Sequence, residues 1–233
     1  MRQLTVVFRV SGIFISILIL SIGISRAQSN QDKGDKKSPT RPIKQGDVYP
    51  LGTCPISGSD LGSMGKPFIL HHEGREFRFC CKGCVPRFEE NPAGVISKID
   101  KQIIKGQLDL YPVKYDLVTS EPFTEGSEPL KKVFQNRLVL FKDEKTIKTF
   151  SEDPGKYMKE LDKLVADQQR PGYPVDTCII MEDLLVEEEI IDFVHANKLF
   201  RFCCQACVKE LRKKPLKYHA MLDKLNSKEG SPK

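Results

Sequence analysis

Apolar and polar positions divide the chain into three regimes. Val10 to Ile24 is a run of Ile, Leu, Val and Phe interrupted only by Ser and Gly. Residues 28–48 are Gln, Asn, Asp, Lys, Ser, Pro and Gly with almost no apolar side chain, a composition that cannot offset its own chain entropy. They read as a disordered linker. From Tyr49 onward the apolar positions come in short bursts. Pro67 to His72 and Glu76 to Cys80 predict two strands around a tight turn at Gly74. Lys82 to Glu90 predicts a short helix. Asn91-Pro92 then supplies an N-cap and a first-turn proline for a second helix. Phe79, Phe88, Val95 and Ile99 are the expected core.

The same pattern occurs three times. Tyr49-Pro50, Tyr111-Pro112 and Tyr173-Pro174 recur at a spacing of 62 residues. Phe79, Phe88 and Pro92 fall on Phe141, Phe150 and Pro154, and, after the loss of one residue, on Phe202, Leu211 and Pro215. The turn residue Gly74 falls on Asn136 and Asn197, the residue types that best tolerate positive φ. The expected architecture is α+β: three tandem ββαα units over 49–105, 111–167 and 173–226, with 227–233 as a tail. A unit of this size usually needs a metal, disulfides or neighbours to be stable.

Charge and the first residues bear on location. Arg2 and Arg9 precede the apolar run, and Ser25-Arg26-Ala27 places small residues where a signal peptidase inspects them, so residues 1–27 read as a signal peptide. The alternative is an uncleaved segment that anchors the chain in a membrane, although the run is short of the roughly 20 apolar residues of a full span. Three arginines and no acid lie in this segment, so its removal lowers the net charge from +6 to +3. That is too mild to argue for a polyanionic partner, and the absence of Trp argues against base stacking, so nucleic acid is not an expected ligand. A periplasmic or secreted protein without a transmembrane domain in its mature form is expected. Its partners would be a metal ion and another exported or envelope protein.

Eight cysteines carry the candidate chemistry, all in the outer units. Unit 1 holds Cys54, Cys80, Cys81 and Cys84; unit 3 holds Cys178, Cys203, Cys204 and Cys207. The middle unit has Asp116, Lys142, Asp143 and Thr146 in their places, so the four are lost as a set. Cys80 at a strand end and Cys84 one helical turn later can project to one side. A helix N-terminus favours the thiolate that binds soft metals. On an ideal helix Cys81 points about 100° away from Cys80, so it is either a fourth ligand or an adjacent free thiol. His72 and His195 occupy equivalent positions eight residues before the first paired cysteine. Each is either a candidate to ligate or to support a ligand, or a solvent-facing hairpin residue. His71 and His219 have no counterparts and receive no role. The acidic stretch Glu182 to Asp192 reads as a solvated helical face.

Cys-Pro-Ile-Ser-Gly followed by Arg-Phe-Cys-Cys-Lys-Gly-Cys and a downstream Asn-Pro resembles the YHS and TRASH-like heavy-metal-binding domains. Leu-Phe-Arg-Phe-Cys-Cys-Gln-Ala-Cys in unit 3 is similar. The middle unit resembles them only in its frame. The resemblance implies small zinc-ribbon-like units whose metal-associated cysteines fall on Cys54, Cys80 and Cys84 and on Cys178, Cys203 and Cys207. Here an additional cysteine, Cys81 or Cys204, follows each hairpin. Zinc(II) or copper(I), about two ions per chain, is the implied cargo. Two other readings stay open, a disulfide-stapled interaction module and a thiol-redox module using Cys81-x-x-Cys84 and Cys204-x-x-Cys207. No nucleophile–base pair, phosphate loop or paired-carboxylate signature occurs, and an enzyme is not expected.

Overall fold

A computed structural model describes residues 46–229 of the 233-residue chain. The segment read as a signal peptide and most of the expected linker lie outside them. In unit 1, β1 (Phe68–His72) and β2 (Arg75–Phe79) form an antiparallel hairpin with Phe68 opposite Phe79, followed by α1 (Cys84–Glu90) and α2 (Pro92–Gln107). Unit 2 repeats this with β3 (Leu130–Phe134), β4 (Arg137–Phe141), α3 (Glu144–Glu152) and α4 (Pro154–Gln169). Unit 3 does so with β5 (Ile191–His195), β6 (Lys198–Phe202), α5 (Gln205–Lys213) and α6 (Pro215–Glu229). Each hairpin is a separate two-stranded sheet, and each unit has its own apolar cluster. Phe77, Phe79, Phe88, Ile99 and Ile103 fill the first, while Val95 is only partly buried.

Local signals behave as their chemistry requires. Both central residues of every hairpin turn have positive φ: Glu73–Gly74, Gln135–Asn136 and Ala196–Asn197, the signature of a turn that matches strand twist. Asn91 and Asp153 cap α2 and α4 by accepting from the N–H of Gly94 and Lys156, each with proline at the first helical position.

The second strand of units 1 and 2 is buried along its whole length, because its two faces pack against different things. Phe77 and Phe79 enter the core. Glu76 and Arg78, on the opposite face, meet the rest of the chain: Arg78 donates to the carbonyls of Arg212 and Lys213 at 2.6 and 3.0 Å. The turn asparagines join successive units. Asn136 accepts from Arg75 Nε at 2.7 Å and donates to the Glu76 carbonyl, and Asn197 donates to the Leu138 carbonyl. Gly74, in the unit with none before it, has no such bond to make. Gln107 and Gln169 close the same junctions. Their amides donate to the Asn136 and Asn197 carbonyls and accept from the N–H of Leu138 and Leu199. Unit 1 thus touches both others, and the three are mutually in contact rather than strung in a line.

Four expectations need correction. Units do not end at 105, 167 and 226, since the helices run on to Gln107, Gln169 and Glu229; Gln107 and Gln169 must reach the next hairpin. The linker does not extend to 48. Val48 is buried, and the Asp47 carboxylate accepts from Arg137 Nε and Nη2 and from the Ala196 N–H. The first helix starts at Cys84 rather than at residue 82. Finally, Glu182 to Asp192 is solvated but not helical: Glu182 has φ 62° in the cysteine turn, and strand β5 begins at Ile191.

Candidate metal centres

Three segments bring each thiol set together. Cys54 sits in a turn closed by its own N–H to the Ser59 carbonyl and by Gly58 N–H to the Cys54 carbonyl. Cys80 follows β2, and Cys84 is the first residue of α1. In unit 3 the corresponding turn is closed by Cys178 N–H to Asp183 and Glu182 N–H to Cys178. The sulfurs of Cys54, Cys80 and Cys84 all lie within 4.8 Å of one another, as do those of Cys178, Cys203 and Cys207. Cys80 to Cys84 is 3.7 Å and Cys178 to Cys207 is 3.7 Å. Zn–S bonds of about 2.3 Å in a tetrahedron give an S···S edge of about 3.8 Å, so these separations fit a shared ion. They are far from the roughly 2.05 Å of a disulfide, and all eight cysteines are unbridged.

Cys81 and Cys204 belong to the clusters but stand at their margin. Each is half-buried, with its sulfur 3.9 Å from Cys84 and 3.6 Å from Cys207 respectively. Neither joins the set in which every sulfur is near every other. The helical 100° offset does not apply, because Cys80 and Cys81 precede the helix and Cys204 is extended at φ −160°. That extended backbone lets the Cys204 thiol turn toward the start of α5, where its sulfur meets Cys207.

Thiol electrostatics follow the helix-start expectation only in part. Burial opposes ionisation of Cys54, but the Ser57 hydroxyl and the N–H groups of Ser57, Cys80 and Ile56 outweigh it and hold the thiol down near 6. Cys178 is lowered against burial by the N–H groups of Cys203, Met181 and Ile180. Cys84, by contrast, is pushed up to about 12 by burial and by hydrogen bonds to the other thiols. Cys207 is raised for the same reasons, and burial takes Cys203 up to about 11. At Cys84, Cys203 and Cys207 desolvation beside other sulfurs outweighs the helix dipole. Cys81 is instead lowered by its hydrogen bond with the Cys84 thiol and by the Gly83 N–H, and Cys204 by the N–H and thiol of Cys207, so the helix start favours these two thiolates as expected.

Neither histidine bonds to a cysteine. The His72 ring packs edge-on against Phe88 at 5.3 Å, as Phe134 packs against Phe150 at 5.2 Å in unit 2, so it fills an aromatic slot of the core. His195 is fully buried, with Nε2 3.1 Å from the Val48 carbonyl and Nδ1 2.7 Å from His219 Nε2. A carbonyl only accepts, so neutral His195 carries its proton on Nε2, and His219 donates to Nδ1. His219, given no role from sequence, thus helps fasten the chain before Tyr49. Sequence offered no signal for this pairing, because His219 falls where Ile96 and Met158 stand in the other units.

In unit 2 ordinary polar chemistry occupies the four thiol positions. Asp143 caps α3 by accepting from the Thr146 N–H, and Thr146 Oγ1 answers the Asp143 N–H. The Lys142 ammonium pairs with Glu121. The outer units have no counterpart to this cap: neither Gly83 nor Cys204 offers a side-chain acceptor to its helix. No helix among the described residues is long and apolar enough to cross a membrane. No family model matches the chain, and no curated protein or solved structure matches it either.

Proposed function

We propose that this is an exported, non-catalytic protein that binds two soft metal ions per chain, one in each outer unit, in the manner of YHS/TRASH-like domains. The observation that carries the reading is the pair of three-sulfur clusters, each within 4.8 Å, built at the same place in two units and dismantled together in the third. Cys54, Cys80 and Cys84 would hold one ion, and Cys178, Cys203 and Cys207 the other. Three thiolates suit copper(I); recruitment of Cys81 or Cys204 would complete a four-sulfur set for zinc(II). Because Cys84, Cys203 and Cys207 are raised, ion binding would release protons and weaken as pH falls. Export is supported by Arg2, Arg9, the apolar run and Ser25-Arg26-Ala27, and places the protein in the periplasm or outside the cell. There the ion would pass to or from another exported or envelope protein.

The Cys81–Cys84 and Cys204–Cys207 approaches favour one second reading, a thiol-redox or disulfide module. Alkylation separates the two. A metal protein purified without oxygen should resist alkylation until chelator is added. A disulfide protein would resist until reductant is added, and that result, with chelator inert, would end the metal reading.

A further inference from the structure

Asp116 is fully buried, yet no cationic side chain is bonded to it. Its partners are three backbone amides and, at 3.4 Å, the Thr119 hydroxyl. Oδ1 accepts from the N–H of Val118 at 2.8 Å and Thr119 at 3.0 Å, and Oδ2 accepts from the N–H of Lys142 at 2.7 Å. These donors stand two and three residues after Asp116 and at the end of the second strand. The residues at the same places are Ile56, Ser57 and Cys80 around Cys54, and Ile180, Met181 and Cys203 around Cys178. The positions are the same in all three units. The turn backbone is shared as well: Gly58, Ser120 and Glu182 have positive φ at the equivalent place, and each gives its N–H to the carbonyl of the Cys or Asp four residues earlier.

Three inward N–H groups make a concavity for an anion, and it survives where every thiol is gone. We propose that this turn is a backbone cage for one negative ligand atom, and that Asp116 is its permanent occupant, a built-in replacement for the metal-bound thiolate. The claim rests on the metal reading for what fills units 1 and 3. In unit 2 a fixed carboxylate, with the Asp143–Thr146 cap, does the organising that an ion does in the outer units. The middle unit is then a metal-independent copy that keeps the junctions to both neighbours whether or not they are loaded.

Substitutions in both directions test this in the full-length chain. With chelator present, Cys54→Asp should be less unfolded than Cys54→Ala by about tenfold or more, the weight of charge-assisted hydrogen bonds to a buried carboxylate. Equal stability would overturn the cage. Conversely, Asp116→Cys combined with Lys142→Cys and Thr146→Cys should bind one Zn²⁺ beyond the wild-type count. A folded triple variant with no additional ion would overturn it too. If the triple variant does not fold, the Cys54 comparison decides. That comparison is made without metal, so its outcome is separate from the failure of the metal reading, which would appear as a wild-type chain that binds no ion.

Discussion

The outer units and the middle unit share a frame but not the four thiol positions, which separates what shapes the unit from what it is for. Phe141 and Phe150 pack as Phe79 and Phe88 do, with ring centroids 5.1 Å apart against 5.6 Å. The hairpin register and the capped second helix are the same. Burial of such side chains, each contributing roughly 1.5–3 kcal/mol, is enough with neighbours to hold a unit that has no thiol. A metal ion in the outer units would therefore be an addition to a fold that already exists, unlike a zinc finger that unfolds without its ion.

The comparison breaks most readily at the hub. Arg137 is fully buried and bonds to Asp47, Asp162, Asn197 and the Val194 carbonyl, so unit 2 binds the strap before Tyr49 and unit 3 through one guanidinium. Arg137→Ala leaves Asp47 buried beside His195 without its cation, and should cost about 3–5 kcal/mol in denaturant unfolding. A loss under about 1 kcal/mol would mean that the middle unit is a spacer rather than a hub.

Acid acts on the same strap. Burial lowers His195 and brings His219 down to about 2. The unfolded chain, with ordinary histidines near 6.5, therefore binds more protons than the folded one below that value. Stability is fully present above about pH 6.5 and declines as pH falls, at about 1 kcal/mol per pH unit for each histidine. The charged groups that face the pair are Asp47, Arg137, Arg212 and Lys198, with Lys198 paired to Asp223. Asp47, itself held low by Arg137 against burial, contributes stability that is lost only at still lower pH. His219→Phe should flatten the profile between pH 6.5 and 5 relative to wild type; an unchanged slope would remove the pair from the account.

Much of this was legible in the sequence, and the misses share a cause. The hairpins, the Asn91 and Asp153 caps and the Cys80–Cys84 and Cys203–Cys207 approaches follow from local spacing, because each depends on residues a few positions apart; Cys54 and Cys178 join from 26 and 25 residues away, at the place the repeat pattern and the family resemblance mark. The junctions do not. Gln107 to Asn136, Arg78 to Arg212 and His195 to Val48 join residues far apart in the chain, and nothing in a repeat register says which face meets which neighbour. Asp116 was visible in a weaker sense. An acid standing where the other units have cysteine keeps a negative charge at one place in the turn, but its meaning appears only once the three amide donors are seen.

Smaller effects sharpen the comparison at its edges. Asp143→Ala removes the α3 cap and should cost about 1 kcal/mol with no change in the metal count, since unit 2 has no thiol. A change in that count would contradict the division of labour. Cys81→Ser should weaken the first site less than Cys80→Ser or Cys84→Ser, measured by competition with a chelating dye, because Cys81 stands outside the set of sulfurs that all lie within 4.8 Å of one another. Equal losses at all three would instead indicate a closed four-thiolate cage, and would favour structural zinc.

The central claim is one ion in each outer unit and none in the middle. Elemental analysis of the anaerobically purified chain, beside Cys80→Ser and Cys203→Ser, tests it most directly. The account predicts about two ions per wild-type chain and about one in each variant, consistent with two separate sulfur clusters. No ion in the wild type, a third ion, or the loss of both ions from a single substitution would contradict it.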